Sequence, residues 1–180
     1  MAATFFRAQG LAVGASMVEE DLVPVARDII QSADEQGVRL LLPNDVVVAD
    51  EFSATARRRE VLVNEIPPEW RIMDIGRRSA TLFEGELASV KTVVWNGPMG
   101  VFEWEPFAEG TDRVARALAR LHDATTVIGG GSTADIVTAL GIADKMTHVS
   151  TGGGAALELL SGRSLPGVDA LMDSPAAASG

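Results

Sequence analysis

Cysteine is absent from this sequence of 180 residues. Its absence excludes disulfide bonds and thiolate metal sites. Long apolar runs are also missing, since none approaches the roughly 20 residues that a membrane-spanning helix needs. The amino terminus lacks the basic and apolar zones of a secretory signal peptide. From the missing membrane span and signal peptide we expect a cytoplasmic protein with no membrane partner, whereas the absence of cysteine does not indicate the compartment.

Basic residues are in short supply. The chain has 15 Lys and Arg residues against 25 Asp and Glu residues, which gives a net charge of −10 at pH 7. Proteins that bind nucleic acid usually carry the opposite charge, so we expect no nucleic-acid partner. The dense basic stretch Arg57–Arg59 is interpreted as a solvated face rather than a ligand clamp. A polyanion would therefore need backbone N–H groups, an accompanying Mg²⁺, or basic groups from another chain or domain.

Apolar residues make up 47% of the chain, which is enough for a folded core. Short apolar runs alternate with amphipathic stretches of about 10–15 residues, a pattern typical of βαβ units. The sequence therefore predicts an α/β fold, as a three-layer Rossmann-like domain with a largely parallel sheet. We expect this domain to span residues 1–172 and residues 173–180 to form a flexible tail.

Local signals predict where individual elements begin and end. Gly10 and Gly37 are predicted to stop the first two helices. The run Val38–Leu42 is predicted to form an apolar strand. Ser79 and Thr111 each precede an apolar periodic stretch and are predicted to be helix N-caps.

Three segments combine a short apolar strand with an exit rich in glycine. Thr92–Glu103 begins as a strand and breaks at Asn96, where a turn follows. Thr125–Thr133 and Thr147–Gly154 each contain a strand, three consecutive glycines and the start of a helical pattern. Because the carboxyl ends of parallel strands meet at one edge of a sheet, we expect a shared phosphate-binding edge.

Glycine at a strand-to-helix junction suits phosphate for two physical reasons. The first N–H groups of a helix are unpaired and carry partial positive charge, and glycine lets the anion approach the backbone closely. The alternative is tight packing between strand and helix with no ligand. Neither glycine loop matches a Walker A motif or a GxGxxG fingerprint, which disfavours a dinucleotide-dependent dehydrogenase.

The chain resembles a known family over nearly all of its length. The motifs that carry the resemblance are Val94–Glu103, Ile128–Gly131 with Thr133 and Ala134, and His148–Ala155, supported by Leu41–Pro43, Val46–Asp50 and Leu165–Val168. With these motifs the chain is similar to the C-terminal, nucleotide-binding domain of phosphoglycerate kinase.

The resemblance implies a role for each matching position. Glu103 would hydrogen-bond the nucleotide ribose, and Asn96 would lie beside the nucleotide phosphates. The β- and γ-phosphates and Mg²⁺ would be lined by Gly130, Gly131, Ser132 and Thr133. The phosphoryl group in transfer would be held by the N–H groups at Gly152, Gly153 and Gly154.

Two further sets of residues match the family. Adenine would lie among the apolar side chains of Met17, Met73 and Val101. The hinge that closes the two lobes would contain Ser150 and Thr151. Without the resemblance, Glu103 would be read as a solvated turn carboxylate, and Met17 and Met73 as ordinary core residues.

The chain departs from the family pattern in two ways. Ser132 stands where the family has an aspartate that coordinates Mg²⁺, and a hydroxyl is a weaker ligand for this metal than a carboxylate. The resemblance also implies that the N-terminal lobe, whose basic cluster binds 3-phosphoglycerate, lies outside this chain. So do the first strands of the nucleotide-binding lobe.

The resemblance implies phosphoryl transfer between 1,3-bisphosphoglycerate and ADP, giving 3-phosphoglycerate and ATP in glycolysis. This chain would be the nucleotide-binding half, with Mg²⁺ and ADP or ATP as ligands. Phosphoglycerate would bind only with the N-terminal lobe present, the isolated chain would be inactive, and the full-length protein would be a monomer. The alternative is a non-catalytic nucleotide-binding remnant or interaction module, which Ser132 favours.

Overall fold

A computed structural model describes residues 1–150 and 152–169. The chain forms two compact units. Unit 1 contains Met1–Val90 and Pro98–Leu118, and unit 2 contains Lys91–Gly97 and the chain from Ala119 onward. Within the described part of the chain, no helix has the length and apolar character needed to cross a membrane.

Unit 1 is built on an antiparallel sheet of three strands. Strand β1 is central and pairs with β2 on one side and with β3 on the other. The strands are β1 (Asp45–Ala49), β2 (Arg58–Leu62) and β3 (Arg71–Ile75). The α-helices of this unit are α1 (Ala2–Ala8), α2 (Val23–Glu35), α3 (Arg77–Leu87) and α4 (Glu109–Leu118). Short 3-10 turns cover Glu20–Leu22 and Glu105–Phe107.

The central strand β1 is apolar on both faces because each face packs against its own cluster. Val46 and Val48 lie in a cluster with Phe6 of α1. Ala49 lies in a second cluster that contains Met73 of β3 and Phe107. Side chains alternate in direction along a strand, so neighbouring residues reach opposite clusters. An unbroken β-branched run is the expected sequence of such a strand.

The predicted strand Val38–Leu42 is wrong. The structure assigns no strand to these residues, and Val38 is 60% exposed. A strand needs a neighbour that pairs with its N–H and C=O groups. Both edges of β1 are already taken by β2 and β3, and neither described sheet includes residues 38–42. Apolar character alone therefore did not make this segment a strand.

Helix ends follow some of the predicted signals and contradict others. Gly10 and Gly37 lie just beyond α1 and α2 with φ of 81° and 65°, so both predicted stops are confirmed. The predicted caps are wrong, because Ser79 and Thr111 are each the third residue of their helix. Gly76 occupies the N-cap position of α3. The hydroxyls of Ser79 and Thr111 bond to other segments instead.

Unit 2 contains a parallel sheet, which confirms the predicted α/β class with parallel strands. The strand order is β4-β5-β6, with bounds Thr92–Asn96, Thr125–Gly129 and His148–Ser150. The helices are α5 (Gly131–Ala139), α6 (Gly153–Leu160) and α7 (Pro166–Asp169), and a 3-10 turn covers Ala143–Lys145. Trp95, Ile128 and Val137 are buried in this unit.

Candidate functional site

The carboxyl ends of the three parallel strands lie in register. Asn96 of β4 pairs with Gly129 of β5, and Gly129 pairs with Ser150 of β6. We call this edge, with residues 130–133 and 152–154 that follow it, the glycine edge. The structure thus brings the three predicted glycine-rich exits to one side of one sheet, as the sequence predicted.

Two loops of the glycine edge are joined directly. The N–H of Gly97 donates to the hydroxyl of Thr133, with 2.8 Å between nitrogen and oxygen. Gly97 has a φ of 98° and Gly130 a φ of 94°, a backbone region that glycine enters without a steric penalty. The positions of Asn96 and of residues 130–133 are therefore fixed relative to each other by sheet register and by this hydrogen bond.

Helix α5 starts within the glycine edge without a side-chain cap. Gly130 is the N-cap residue and, being glycine, has no side chain that could accept a hydrogen bond from the first turn. A Cβ placed on Gly131 would meet no atom within 4 Å, so the space above this helix start is open. Unpaired N–H groups facing open space are the arrangement that binds phosphate at a helix start.

The loop after β6 has the same plan. Gly152 is exposed, and its N–H donates to the hydroxyl of Ser150 at 3.2 Å. Gly153 and Gly154 are the first two residues of α6, and a Cβ on Gly154 would also meet open space. Thr151, the second predicted hinge residue, lies outside the described residues.

The side chains at the glycine edge are poor ligands for a metal ion. Ser132 is exposed and offers a neutral hydroxyl, and the hydroxyl of Thr133 already accepts the N–H of Gly97. Among the described residues no group of three or more His, Asp or Glu side chains could hold a metal ion. Mg²⁺ prefers carboxylates and phosphate oxygens. At this edge the metal would depend on oxygens that a nucleotide brings with it.

The residues predicted to contact adenosine lie in unit 1. Met73 of β3 is buried, and its carbonyl accepts the N–H of Val101 at 2.9 Å. Val101 is half-buried and packs against the cluster that contains Met73. Glu103 follows two residues later and is exposed. Met17 is 88% exposed, which contradicts its reading as a core residue, and no described contact joins it to Met73.

A buried carboxylate beside these residues was missed by sequence reasoning. Asp74 lies in β3 and is 1% exposed. Its two oxygens accept the N–H groups of Ile75 and Gly110, both at 2.8 Å. Burial raises the pKa of Asp74 to about 6, and the negative charge of Glu109 adds to this shift. An acidic residue inside the apolar run of β3 was the signal that could have identified it.

A second buried carboxylate, Asp45, serves the start of α3. Its oxygens accept the N–H groups of Ser79 at 2.7 Å and Arg78 at 3.0 Å. Burial opposes ionisation, but the hydrogen bonds from Ser79 and Arg78 outweigh it and keep the pKa of Asp45 below its ordinary value. Glu60 accepts the N–H of Arg77, the preceding residue of the same helix. Asp45 and Glu60 thus cap α3 in place of a ligand.

Comparisons with known proteins give a consistent result. The family model described as phosphoglycerate kinase matches residues 1–163. A phosphoglycerate kinase from Chloroflexus aurantiacus is 55% identical over 175 residues, which are 96% of this chain and 44% of that protein. This chain therefore spans a little under half the length of that relative.

Solved structures agree with the sequence match. The phosphoglycerate kinase from Coxiella burnetii superimposes with a TM-score of 0.89 at 38% identity, over 95% of this chain and 44% of that chain. The enzyme from Pyrococcus horikoshii gives a TM-score of 0.78 at 33% identity, over 94% and 42%. The family match, the sequence identity and the shared fold show that this chain belongs to the phosphoglycerate kinase family.

Proposed function

We propose that this chain is the nucleotide-binding half of a phosphoglycerate kinase and that it binds ADP and ATP. The observation that carries the proposal is the glycine edge, where three strand ends lie in register and α5 begins without a side-chain cap. In this role the first N–H groups of α5 bind nucleotide phosphate oxygens. Asn96 lies on the same edge and donates its amide N–H to a phosphate.

The whole protein would transfer a phosphoryl group between 1,3-bisphosphoglycerate and ADP, giving 3-phosphoglycerate and ATP. Such a transfer depends mostly on positioning and on donors arranged around the moving group. Gly152, Gly153 and Gly154, at and just before the start of α6, would supply those donors, with the Gly152 N–H leaving the hydroxyl of Ser150 for the phosphoryl group. Adenosine would contact Met73 and Val101, with Met17 as a further apolar neighbour, and Glu103 would accept a ribose hydroxyl. Ser150 and Thr151 would act as the hinge.

Mg²⁺ would accompany the nucleotide and neutralise charge on its phosphates. Ser132 supplies a hydroxyl at the position where a carboxylate would bind the metal more tightly. This substitution supports a second candidate function, a non-catalytic module that binds a nucleotide with little dependence on metal. The two candidates share the nucleotide and differ in the effect of Mg²⁺.

The test is calorimetric titration of the 180-residue chain with ADP, with and without Mg²⁺. Binding that tightens with Mg²⁺ supports the kinase half, and binding that is indifferent to Mg²⁺ supports the non-catalytic module. A chain that is folded by circular dichroism and binds no ADP under either condition contradicts both. A coupled assay on the same sample should show no turnover, because phosphoryl transfer needs the acceptor site as well.

A further inference from the structure

The segment that carries Val101 and Glu103 is attached to the rest of unit 1 through its backbone. The N–H of Val101 donates to the carbonyl of Met73. The hydroxyl of Thr111, in the first turn of α4, accepts the N–H of Met99 at 3.0 Å. The positions of the predicted adenosine residues therefore depend on how β3 and the start of α4 are held.

Asp74 is the side chain that joins these parts. It follows Met73 in β3, and its Oδ2 accepts the N–H of Gly110, the second residue of α4. Its Oδ1 lies so close to the backbone of Gly100 and Gly110 that an added Cβ on either would be 2.4 Å away. One carboxylate thus contacts the strand, the helix start and the segment 99–103 together.

We propose that Asp74 is a positioning residue for adenosine, because its carboxylate holds the segment of Val101 and Glu103 against Met73. The inference rests on the proposed function, in which these three residues contact the adenosine part of the nucleotide. Asp74 itself is buried and touches no ligand in this role. It acts through the backbone that it holds.

The surroundings of Asp74 make this role dependent on its charge. Both groups that reach its oxygens are N–H donors. Such donors bind a carboxylate more strongly than a neutral carboxyl, and neither of them offers an acceptor for the added O–H. On α4 the charged neighbour is Glu109, which is paired with Arg77. On β1 the cross-strand partner is Val47, and in the segment 99–103 the contact is Gly100, neither of which ionises.

The test is titration of the 180-residue chain with adenosine, from about pH 5 to about pH 7.5. Adenosine is the probe because it has no phosphate, whereas a terminal phosphate titrates near pH 6 and would obscure the result. At the upper end of the range we expect Asp74→Asn to weaken adenosine binding about tenfold, the effect of losing one hydrogen bond to a charged group. The wild-type affinity should fall on acidification with a midpoint near the Asp74 pKa of about 6, and the affinity of the variant should not.

Asp45→Asn is the matched control. Asp45 is also a buried carboxylate that caps a helix through two backbone N–H groups, but it contacts α3 and not the segment 99–103. A purely structural role for Asp74 predicts that both variants lose stability and keep their affinity for adenosine. The proposal predicts that only Asp74→Asn loses affinity.

The outcomes separate the inference from the proposed function. A folded wild-type chain that binds no adenosine overturns both. Adenosine binding that Asp74→Asn leaves unchanged in strength and in pH profile overturns the inference alone. If Asp74→Asn does not fold, the amide signal of Gly110 in the wild-type chain reports the same equilibrium by NMR, because its N–H contacts the carboxylate. Saturating adenosine should lower the titration midpoint of that signal, and an unmoved midpoint overturns the inference.

Discussion

Asp74 and Asp45 are both buried carboxylates that cap helices, yet their pKa values move in opposite directions. Asp45 receives the N–H groups of Arg78 and Ser79, the hydroxyl of Ser79 and a hydrogen bond from the carboxyl of Glu60, whose own pKa is raised by burial and by Asp45. Asp74 receives two N–H groups and lies near the like charge of Glu109. Hydrogen bonds outweigh burial at the first site, and burial outweighs hydrogen bonds at the second.

The first prediction at the residue scale concerns Asp74 and stability. Because its folded pKa of about 6 lies above the ordinary value of 3.8, its contribution is fully present below about pH 4 and is lost as pH rises through about 6. The loss is about 3 kcal/mol, from a shift of about two units at 1.36 kcal/mol each. In urea unfolding at several pH values, the wild-type chain should therefore lose stability relative to Asp74→Asn between these limits.

For Asp45 we expect the opposite change of stability with pH, and Asp45→Asn tests it in the same urea unfolding experiment. Its folded pKa lies below the ordinary value, so its contribution is present above that value and is lost as pH falls through the folded pKa. The wild-type chain should therefore gain stability relative to Asp45→Asn as pH rises out of the acid range. Equal slopes for the two variants would contradict the assignment of opposite causes.

The second residue-scale prediction concerns Ser132→Asp at the glycine edge. Without Mg²⁺ the added carboxylate repels the phosphates of ADP, so binding should weaken. With Mg²⁺ the carboxylate becomes a metal ligand, so binding should tighten by about tenfold, roughly 1.4 kcal/mol. Calorimetric titration of the wild-type chain and of Ser132→Asp with ADP, with and without Mg²⁺, measures both effects.

Ser164→Asp is the control for this change. Ser164 is an exposed serine between α6 and α7, and its replacement by Asp adds the same charge as Ser132→Asp. It should leave the effect of Mg²⁺ on ADP affinity as it is in the wild-type chain. If Mg²⁺ raises the ADP affinity of Ser132→Asp no more than that of Ser164→Asp, residue 132 does not lie at the metal position.

At the scale of the element, the two glycines at the start of α5 are needed for different reasons. Gly130 has φ 94° and ψ 144°, a conformation that costs a residue with a Cβ about 1–3 kcal/mol. Gly131 is helical, and a methyl group there would occupy the open space above the helix start. We therefore expect Gly130→Ala to lower stability, and Gly131→Ala to preserve stability while weakening ADP binding.

Gly85→Ala is the matched control for Gly131→Ala. Gly85 is an exposed glycine inside α3, and a Cβ there also meets open space. Gly85→Ala should stabilise α3 by roughly 0.5–1 kcal/mol, because the residue lies in the helix interior, and should leave the affinity for ADP unchanged. Thermal unfolding and ADP titration of the three variants decide the matter, and equal ADP affinity in Gly131→Ala and Gly85→Ala would place the phosphate elsewhere.

The elements that sequence reasoning predicted well are those specified by local signals. The apolar runs of β4 and β5 and the stops at Gly10 and Gly37 depend only on neighbouring residues. The failures depend on distant partners. Val38–Leu42 lacks a pairing strand, and the helix caps come from Asp45 and Asp74, which lie 33 and 36 residues from the N–H groups they accept. Neither distance is readable from composition or periodicity.

In the candidate site, too, the features set by local sequence were predicted and those that depend on distant residues were missed. The glycine-rich exits were predicted together because parallel strands share a carboxyl edge, and the register of Asn96, Gly129 and Ser150 bears this out. Asp74 was missed because its role requires the approach of Gly100 and Gly110, which follow it by 26 and 36 residues. A lone acidic residue in a short strand does not reveal which backbone will reach it.

At the scale of the whole molecule, the charge distribution bears on which substrates this chain can hold alone. The net charge is −10, and the dense basic stretch Arg57–Arg59 is partly engaged. Arg57 forms an ion pair with Asp50 at 2.7 Å, and Arg59 lies over the ring of Trp70 at 4.6 Å. A small polyanion such as 3-phosphoglycerate needs converging basic groups, because exposed single charges contribute little in water.

We therefore predict that the chain binds ADP but not 3-phosphoglycerate. Backbone N–H groups at a helix start suit the phosphates of a nucleotide whose adenosine adds apolar contacts, whereas 3-phosphoglycerate has no apolar part to offset the overall negative charge. Parallel calorimetric titrations of one sample should give a binding curve for ADP and only heat of dilution for 3-phosphoglycerate. If 3-phosphoglycerate does bind, and Arg58→Ala abolishes that binding, the basic stretch Arg57–Arg59 is the binding site for 3-phosphoglycerate. That result would overturn the interpretation of this stretch as a solvated face.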